Sequence, residues 1–116
     1  MTIAAVLFAI AALGGLALAG LRLSGRELPP LWLAVVHGLA AAAGLILLIM
    51  AVMGAATSVQ ARWALGLFLA AALGGFVLFS FHLRGRALPV PLVLVHGLIA
   101  VIAFVVLLFG IFAASA

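Results

Sequence analysis

The chain contains no cysteine and a single acidic residue, Glu27, among its 116 positions. Without cysteine neither a disulfide nor a thiolate metal site can form, and the redox compartment is left open. Because Glu27 falls in a short polar turn, the chain also lacks the intramembrane carboxylate that proton-coupled transport would use. Lysine is absent too, so the five basic residues are all Arg. They give a formal net charge of +4, but they are scattered over three short segments and make no stripe for nucleic acid, which is not an expected partner. They serve better as topology signals beside membrane spans. What the chain does hold is apolar: 72% of it is hydrophobic and only 5% charged. A soluble domain of this size could not hide so much apolar surface. The expected solvent is therefore a bilayer, the first partner membrane lipid, and the organisation one transmembrane domain.

A helix needs roughly 20 mainly apolar residues to cross a bilayer. Four stretches qualify, at about 3–23, 29–53, 62–83 and 89–112. Between them lie two polar turns, Ser24–Glu27 and Arg84–Ala87, and a loop, Gly54–Ala61. Pro29 and Pro30 suit a first helical turn, where backbone N–H groups have no partner anyway, and Trp63 suits the membrane interface. Ala17-Leu18-Ala19 looks like a signal-cleavage site after an apolar run. No positive segment precedes it, and cleavage would destroy half of an internal duplication, so retention is expected.

The duplication is visible in two motifs. Ala12-Leu-Gly-Gly15 matches Ala72-Leu-Gly-Gly75, and Leu23-x-Gly-Arg-x-Leu-Pro29 matches Leu83-x-Gly-Arg-x-Leu-Pro89, both at an offset of 60. The stretch from Leu28 to His37-Gly38 likewise answers that from Leu88 to His96-Gly97, but at the histidines the offset is 59. One residue is thus lost between Pro and His. That loss would rotate His96 by about 100°, unless Pro91 rather than Pro89 marks the start of its helix. Each copy, 1–56 and 61–116, holds two spans, so both enter the membrane the same way round. The predicted fold is all-α: a transmembrane up-down-up-down four-helix bundle made of two tandem parallel two-helix repeats. Arg22, Arg26, Arg84 and Arg86 share one side, with only Arg62 on the other. The positive-inside rule then puts both termini on the non-cytoplasmic side of a bacterial inner membrane. Ala11, Gly15 and Ala19 on the first span, and Gly66, Ala70 and Gly74 on the third, form small-residue stripes for close helix packing. The alternative is that their glycines make room for a flat ligand.

Two of the three histidines, His37 and His96, occupy the matched positions. Along the same helical face beyond them come Ala41 and Gly44 in the first copy and Ala100 and Ala103 in the second. About eight residues past Pro29, His37 would lie roughly 12 Å into the membrane, a depth at which an ionisable residue usually marks function and has a partner. Two imidazoles alone are too few for a closed zinc site, whereas haem brings four nitrogens and needs two axial ligands. The expectation is one haem b per chain, with His37 and His96 as axial ligands and Gly38, Gly97, Ala41, Gly44, Ala100 and Ala103 around it. It would stand edge-on, its plane along the membrane normal, with Arg26 and Arg86 each meeting one propionate. Alternatively these arginines fix topology and bind lipid phosphate. For the two histidines the other readings are a hydrogen-bonded structural pair, quinone contact, proton handling or another metal. His82 ends the third span, matches Arg22, and reads as an interfacial or propionate-side residue.

His37 and His96, the glycines that follow them, and the loop arginines together resemble the membrane b-type cytochromes, helical bundles in which His on facing helices bind haem b edge-on to the membrane. The resemblance covers the architecture rather than a long motif. It implies electron transfer through a low-spin haem, and two protein axial ligands leave no open position for oxygen. Many such cytochromes carry four histidines and two haems. This chain offers one pair, so a second carrier would be needed on the side away from the arginines. The implied partners are quinol or a redox protein, in a homodimer or a larger complex. Quinone- or superoxide-linked oxidoreductase chemistry at the haem edge, drawing on Arg22, Arg84 and His82, is the enzymatic variant. Two readings come from other classes: a small non-haem transporter, and an accessory subunit of a larger membrane complex.

Overall fold

The computed structural model describes residues 1–54 and 57–115, and the chain is all-helical. Its four helices are α1 (Thr2–Leu23), α2 (Leu31–Met53), α3 (Val59–Leu83) and α4 (Val90–Ser115). They form a bundle with extents of 44 × 21 × 19 Å, and each is long and apolar enough to cross a membrane. The outer surface carries Leu13, Leu39, Leu73, Phe76 and Phe109, all exposed. So continuous an apolar exterior demands an apolar solvent. Residues 56 and 116, which end the two expected repeats, and part of the expected loop 54–61 lie outside the described residues.

The helix starts explain the offset at the histidines. Pro29 and Pro30 precede α2 instead of opening it, with Pro30 in the capping position. Pro30 is itself extended, with φ −55° and ψ 133°. In the second copy α4 begins at Val90, with Pro91 as its second residue. His37 therefore lies six residues past Leu31, and His96 six past Val90. The lost residue is absorbed in the preceding turn, so both imidazoles leave their helices at the same phase. They sit about 9 Å along their helices, somewhat shallower than expected from Pro29. α3 starts three residues earlier than expected because Ser58 caps it: the Ser58 hydroxyl accepts from the Ala61 N–H at 3.2 Å, satisfying a donor that the first turn cannot.

The ends of α1 and α3 explain the Gly-Arg motif. Gly25 and Gly85 have φ of 106° and 62°, where a side chain is disfavoured. The Arg26 N–H donates back to the Leu21 carbonyl at 3.1 Å, and the Arg86 N–H to Phe81 at 3.0 Å. These closures satisfy carbonyls that a helix end leaves open.

α1 packs chiefly on α2 and α3 on α4, with thinner seams between α1 and α4 and between α2 and α3. The backbones of α1 and α3, and of α2 and α4, do not approach each other, so each pair occupies opposite corners. Side chains fill the axis in layers. In one, Phe8 and Phe68 stack face to face, with ring centroids 3.8 Å apart and planes within 4°. Leu48 and Leu107, both fully buried, complete that layer with Ala64 and Ala103. A second layer, of Leu78, Leu88 and Val93, lies toward the arginine turns.

Candidate functional site

Between the two layers, α1 and α3 present almost no bulk to the axis. The buried positions of α3 run from Phe68 through Ala71 to Leu78, about 15 Å of helix. Its large residues in that interval, Leu73, Phe76 and Val77, are exposed on the outside. His37 projects into this region from α2 and His96 from α4, both half-buried.

Each imidazole is anchored the same way. His37 Nδ1 lies 2.7 Å from the Ala11 carbonyl oxygen, and His96 Nδ1 lies 2.7 Å from that of Ala71. A carbonyl oxygen can only accept, so each Nδ1 carries the proton and donates it, leaving a lone pair on Nε2. The sequence supplies the access. In an α-helix the Ala11 carbonyl is covered by the residue four further on, which is Gly15, and that of Ala71 is covered by Gly75. A Cβ at Gly15 would lie 3.0 Å from His37 Cε1, and one at Gly75 would lie 3.2 Å from His96 Cε1. Glycine at these positions opens a notch through which the ring reaches a carbonyl already used by its own helix. The two rings then meet across the axis, their centroids 6.2 Å apart and their planes at 87°. Each imidazole, held by its Nδ1, keeps one lone-pair nitrogen of the kind that can ligate a metal. Among the described residues no group of three or more His, Cys, Asp or Glu comes together. A metal here would have to bring most of its own ligands.

The other expected site residues are distributed differently. Gly38 is exposed and Gly97 half-buried, and a Cβ on either would meet nothing within 4 Å. They make room for no neighbour. Ala41 and Ala100 are half-buried. A Cβ at Gly44 would lie 3.2 Å from the Phe8 ring, and Ala103 is fully buried in the same layer. The small side chains at those two positions thus accommodate the aromatic stack; the stretch without bulk lies instead on α1 and α3. The glycines that matter to the histidines are Gly14, Gly15, Gly74 and Gly75. Their signal in the sequence was the identical Ala-Leu-Gly-Gly at 12–15 and 72–75, read above as a mark of the duplication, with Gly15 and Gly74 alone assigned to helix packing.

At the turn end, Arg26 and Arg86 are exposed. Arg84 folds back on its own helix, donating to the Ser80 carbonyl and hydroxyl, both at 3.2 Å, and lying over Phe81. Arg22 and His82, sixty residues apart, each reach to the entry of a neighbouring helix. Arg22 Nε donates to the Leu88 carbonyl at 2.8 Å. His82 Nε2 donates to that of Pro29 at 3.1 Å, while its Nδ1 is buried without a partner.

Compared with known proteins, the chain matches no family model, no curated protein and no solved structure.

Proposed function

We propose that this chain is a small integral membrane haem b protein for electron transfer, holding one haem between α2 and α4 with His37 and His96 as axial ligands. The geometry of the imidazole pair carries this reading. Two imidazoles on opposite sides of one metal ion would have ring centroids about 6.2 Å apart, given metal–nitrogen bonds of about 2.0 Å and a ring radius of about 1.1 Å. The observed separation is 6.2 Å. Donation of the remote ring N–H to a backbone carbonyl is the usual support of a metal-ligating His, because it fixes the ring and raises its basicity.

A flat macrocycle would have to lie between the two imidazoles, in the stretch of the axis between the Phe8–Phe68 stack and Leu78 where α1 and α3 bury no large side chain. When bound, the haem supplies one-electron chemistry at an iron whose axial positions are both filled. The chain's own part is to orient two Nε2 lone pairs through the Ala11 and Ala71 carbonyls and to keep water from them with an apolar layer on either side. Electrons would be exchanged with quinol or a partner redox protein at the arginine end. The same reading takes the chain as two tandem two-helix repeats in an up-down-up-down bundle of a bacterial inner membrane. The four-arginine side would be cytoplasmic and both termini opposite. The shared roles of Phe8 and Phe68, Leu48 and Leu107, and the two histidines support the duplication.

One observation favours a second reading. A centroid distance of 6.2 Å with planes at 87° is also an ordinary edge-to-face contact between aromatic rings, so the imidazoles could simply pack on each other in a structural or proton-handling pair. A reduced-minus-oxidised visible spectrum of the detergent-purified protein, with haem quantified per chain, separates the two. The expected result is a sharp low-spin b-type spectrum at about one haem per chain, lost in His37→Ala and in His96→Ala and retained in His82→Ala. A protein that stays colourless when haem is supplied during expression, or unchanged spectra in both deep variants, would overturn the haem site.

A further inference from the structure

We infer that Arg22 and His82, not Arg26 and Arg86, bind the two carboxylates of the haem, so that the turn end of the bundle axis is an anion cradle. This rests on the haem reading above and assigns the far edge of the same site. Three observations carry it.

The first is position. Arg22 lies seven residues beyond Gly15, and His82 seven beyond Gly75. Seven residues are two helical turns, so each lies on the helix face that touches an imidazole, about 10 Å nearer the turns. Both helices end there, which leaves polar groups at the edge of the apolar region, where a carboxylate can be solvated. Arg26 and Arg86 are exposed beyond the left-handed Gly25 and Gly85, and they suit lipid phosphate.

The second is direction. Arg22 Nε and His82 Nε2 each bond a carbonyl in the opposite half of the chain, those of Leu88 and Pro29. Arg22 of α1 thus spans the seam with α4, and His82 of α3 the seam with α2, at two opposite corners of the same end of the bundle. A ligand with two carboxylates on one edge meets one group from each side.

The third is unmet bonding. His82 Nδ1 is buried with no partner, which is costly for a polar atom away from water. A carboxyl group satisfies it in either form, donating to the neutral ring or accepting from the imidazolium. Arg22 is a half-buried cation in a chain whose only acidic side chain, Glu27, is exposed. Its guanidinium uses Nε on Leu88, and the fork still offers Nη donors shaped for a carboxylate.

The experiment reconstitutes the haem-free full chain in detergent with haem and, separately, with haem dimethyl ester, whose carboxylates are capped. Binding is followed by the low-spin spectrum. The wild type should bind haem roughly ten- to a hundred-fold more tightly than the diester. Arg22→Gln and His82→Gln should each lose roughly ten-fold in haem affinity while binding the diester as the wild type does. Arg26→Gln and Arg86→Gln should bind both as the wild type does. Equal losses for haem and diester in the Arg22 and His82 variants would make these residues structural braces and overturn the inference. So would a haem-selective loss in the Arg26 or Arg86 variants. If the wild type binds neither compound in a low-spin form, the haem reading itself fails and takes this one with it, a result distinct from either of the others.

Discussion

Alanine at Gly15 should dislodge His37 without touching it chemically. The added Cβ would stand 3.0 Å from His37 Cε1, well inside ordinary contact, and the neighbour is a ring tethered to Ala11 at 2.7 Å. The ring must swing out or the helices must part. Overpacking of this kind costs about 1–3 kcal/mol, and if the carbonyl bond breaks, about 0.5–1.5 kcal/mol is lost besides. Against this, replacing a mid-helix Gly by Ala gains up to about 1 kcal/mol in helix propensity. The net destabilisation is therefore modest, about 1–3 kcal/mol, while on the proposed haem reading the effect on ligation would be larger. Moving a ligand's support typically costs a factor of about 10–100 in metal affinity.

The other glycines make this a graded test. At Gly75 the approach is 3.2 Å, at Gly14 3.4 Å and at Gly74 3.5 Å, while Gly20 and Gly66 meet nothing within 4 Å. Haem affinity and thermal midpoint in detergent should fall most for Gly15→Ala, less for Gly75→Ala, and little for Gly14→Ala and Gly74→Ala. Gly20→Ala and Gly66→Ala should be neutral or slightly stabilising. A Gly15→Ala protein with wild-type haem affinity and stability, or no difference between it and Gly20→Ala, would refute the notch as the reason these imidazoles stand where they do.

Three further outcomes are expected. Leu48→Ala and Leu107→Ala, at fully buried positions, should each destabilise the bundle toward the lower end of about 2–5 kcal/mol and by similar amounts, since detergent or lipid is as apolar as the core and chiefly the cavity term remains; denaturant unfolding by circular dichroism measures it. Gly85→Asn should be tolerated because φ of 62° is a conformation Asn adopts, whereas Gly25→Asn at 106° should cost about 1–2 kcal/mol, visible as a lower thermal midpoint. Ser58→Ala should remove the α3 cap and cost about 0.5–2 kcal/mol, with amide exchange rising at Ala61 and not in the middle of α3.

Much of the fold could be read from the sequence because the four apolar runs are separated by turn chemistry with fixed meanings. The two Gly-Arg turns set the ends of α1 and α3 to the residue, since positive φ there strongly favours glycine. Helix starts were less legible. Proline can stand within a first turn or before it, and Ser58 could be recognised as a cap only once its hydroxyl was seen on Ala61. The histidines stood out as ionisable groups in an apolar chain, but the groups that orient them did not. A carbonyl is present at every residue, and the choice of Ala11 and Ala71 follows from glycines four residues later, whose spacing also fits plain helix packing. The small residues after each His looked like a slot. Instead Gly44 lies against Phe8, and Ala103 sits in the same core cluster; a side-chain pattern shows which positions are small and not what the neighbouring helix places against them.

The two halves contribute equally to nearly everything on the axis: one Phe, one His and one buried Leu each. Two like imidazoles held by two like carbonyls give no reason for the site to favour one side over the other. Any direction must come from where the halves differ. Inside the bundle the difference is slight, Gly44 against Ala103 beneath the aromatic stack. At the turn end it is chemical. Arg22 is a permanent cation with a planar fork of donors, and His82 an imidazole with one ring nitrogen buried without a partner, at matched positions on opposite corners. A negative group between them would meet a fork of donors on one side and a single ring nitrogen on the other. That end of the bundle is therefore where the otherwise symmetric chain acquires two unequal sides.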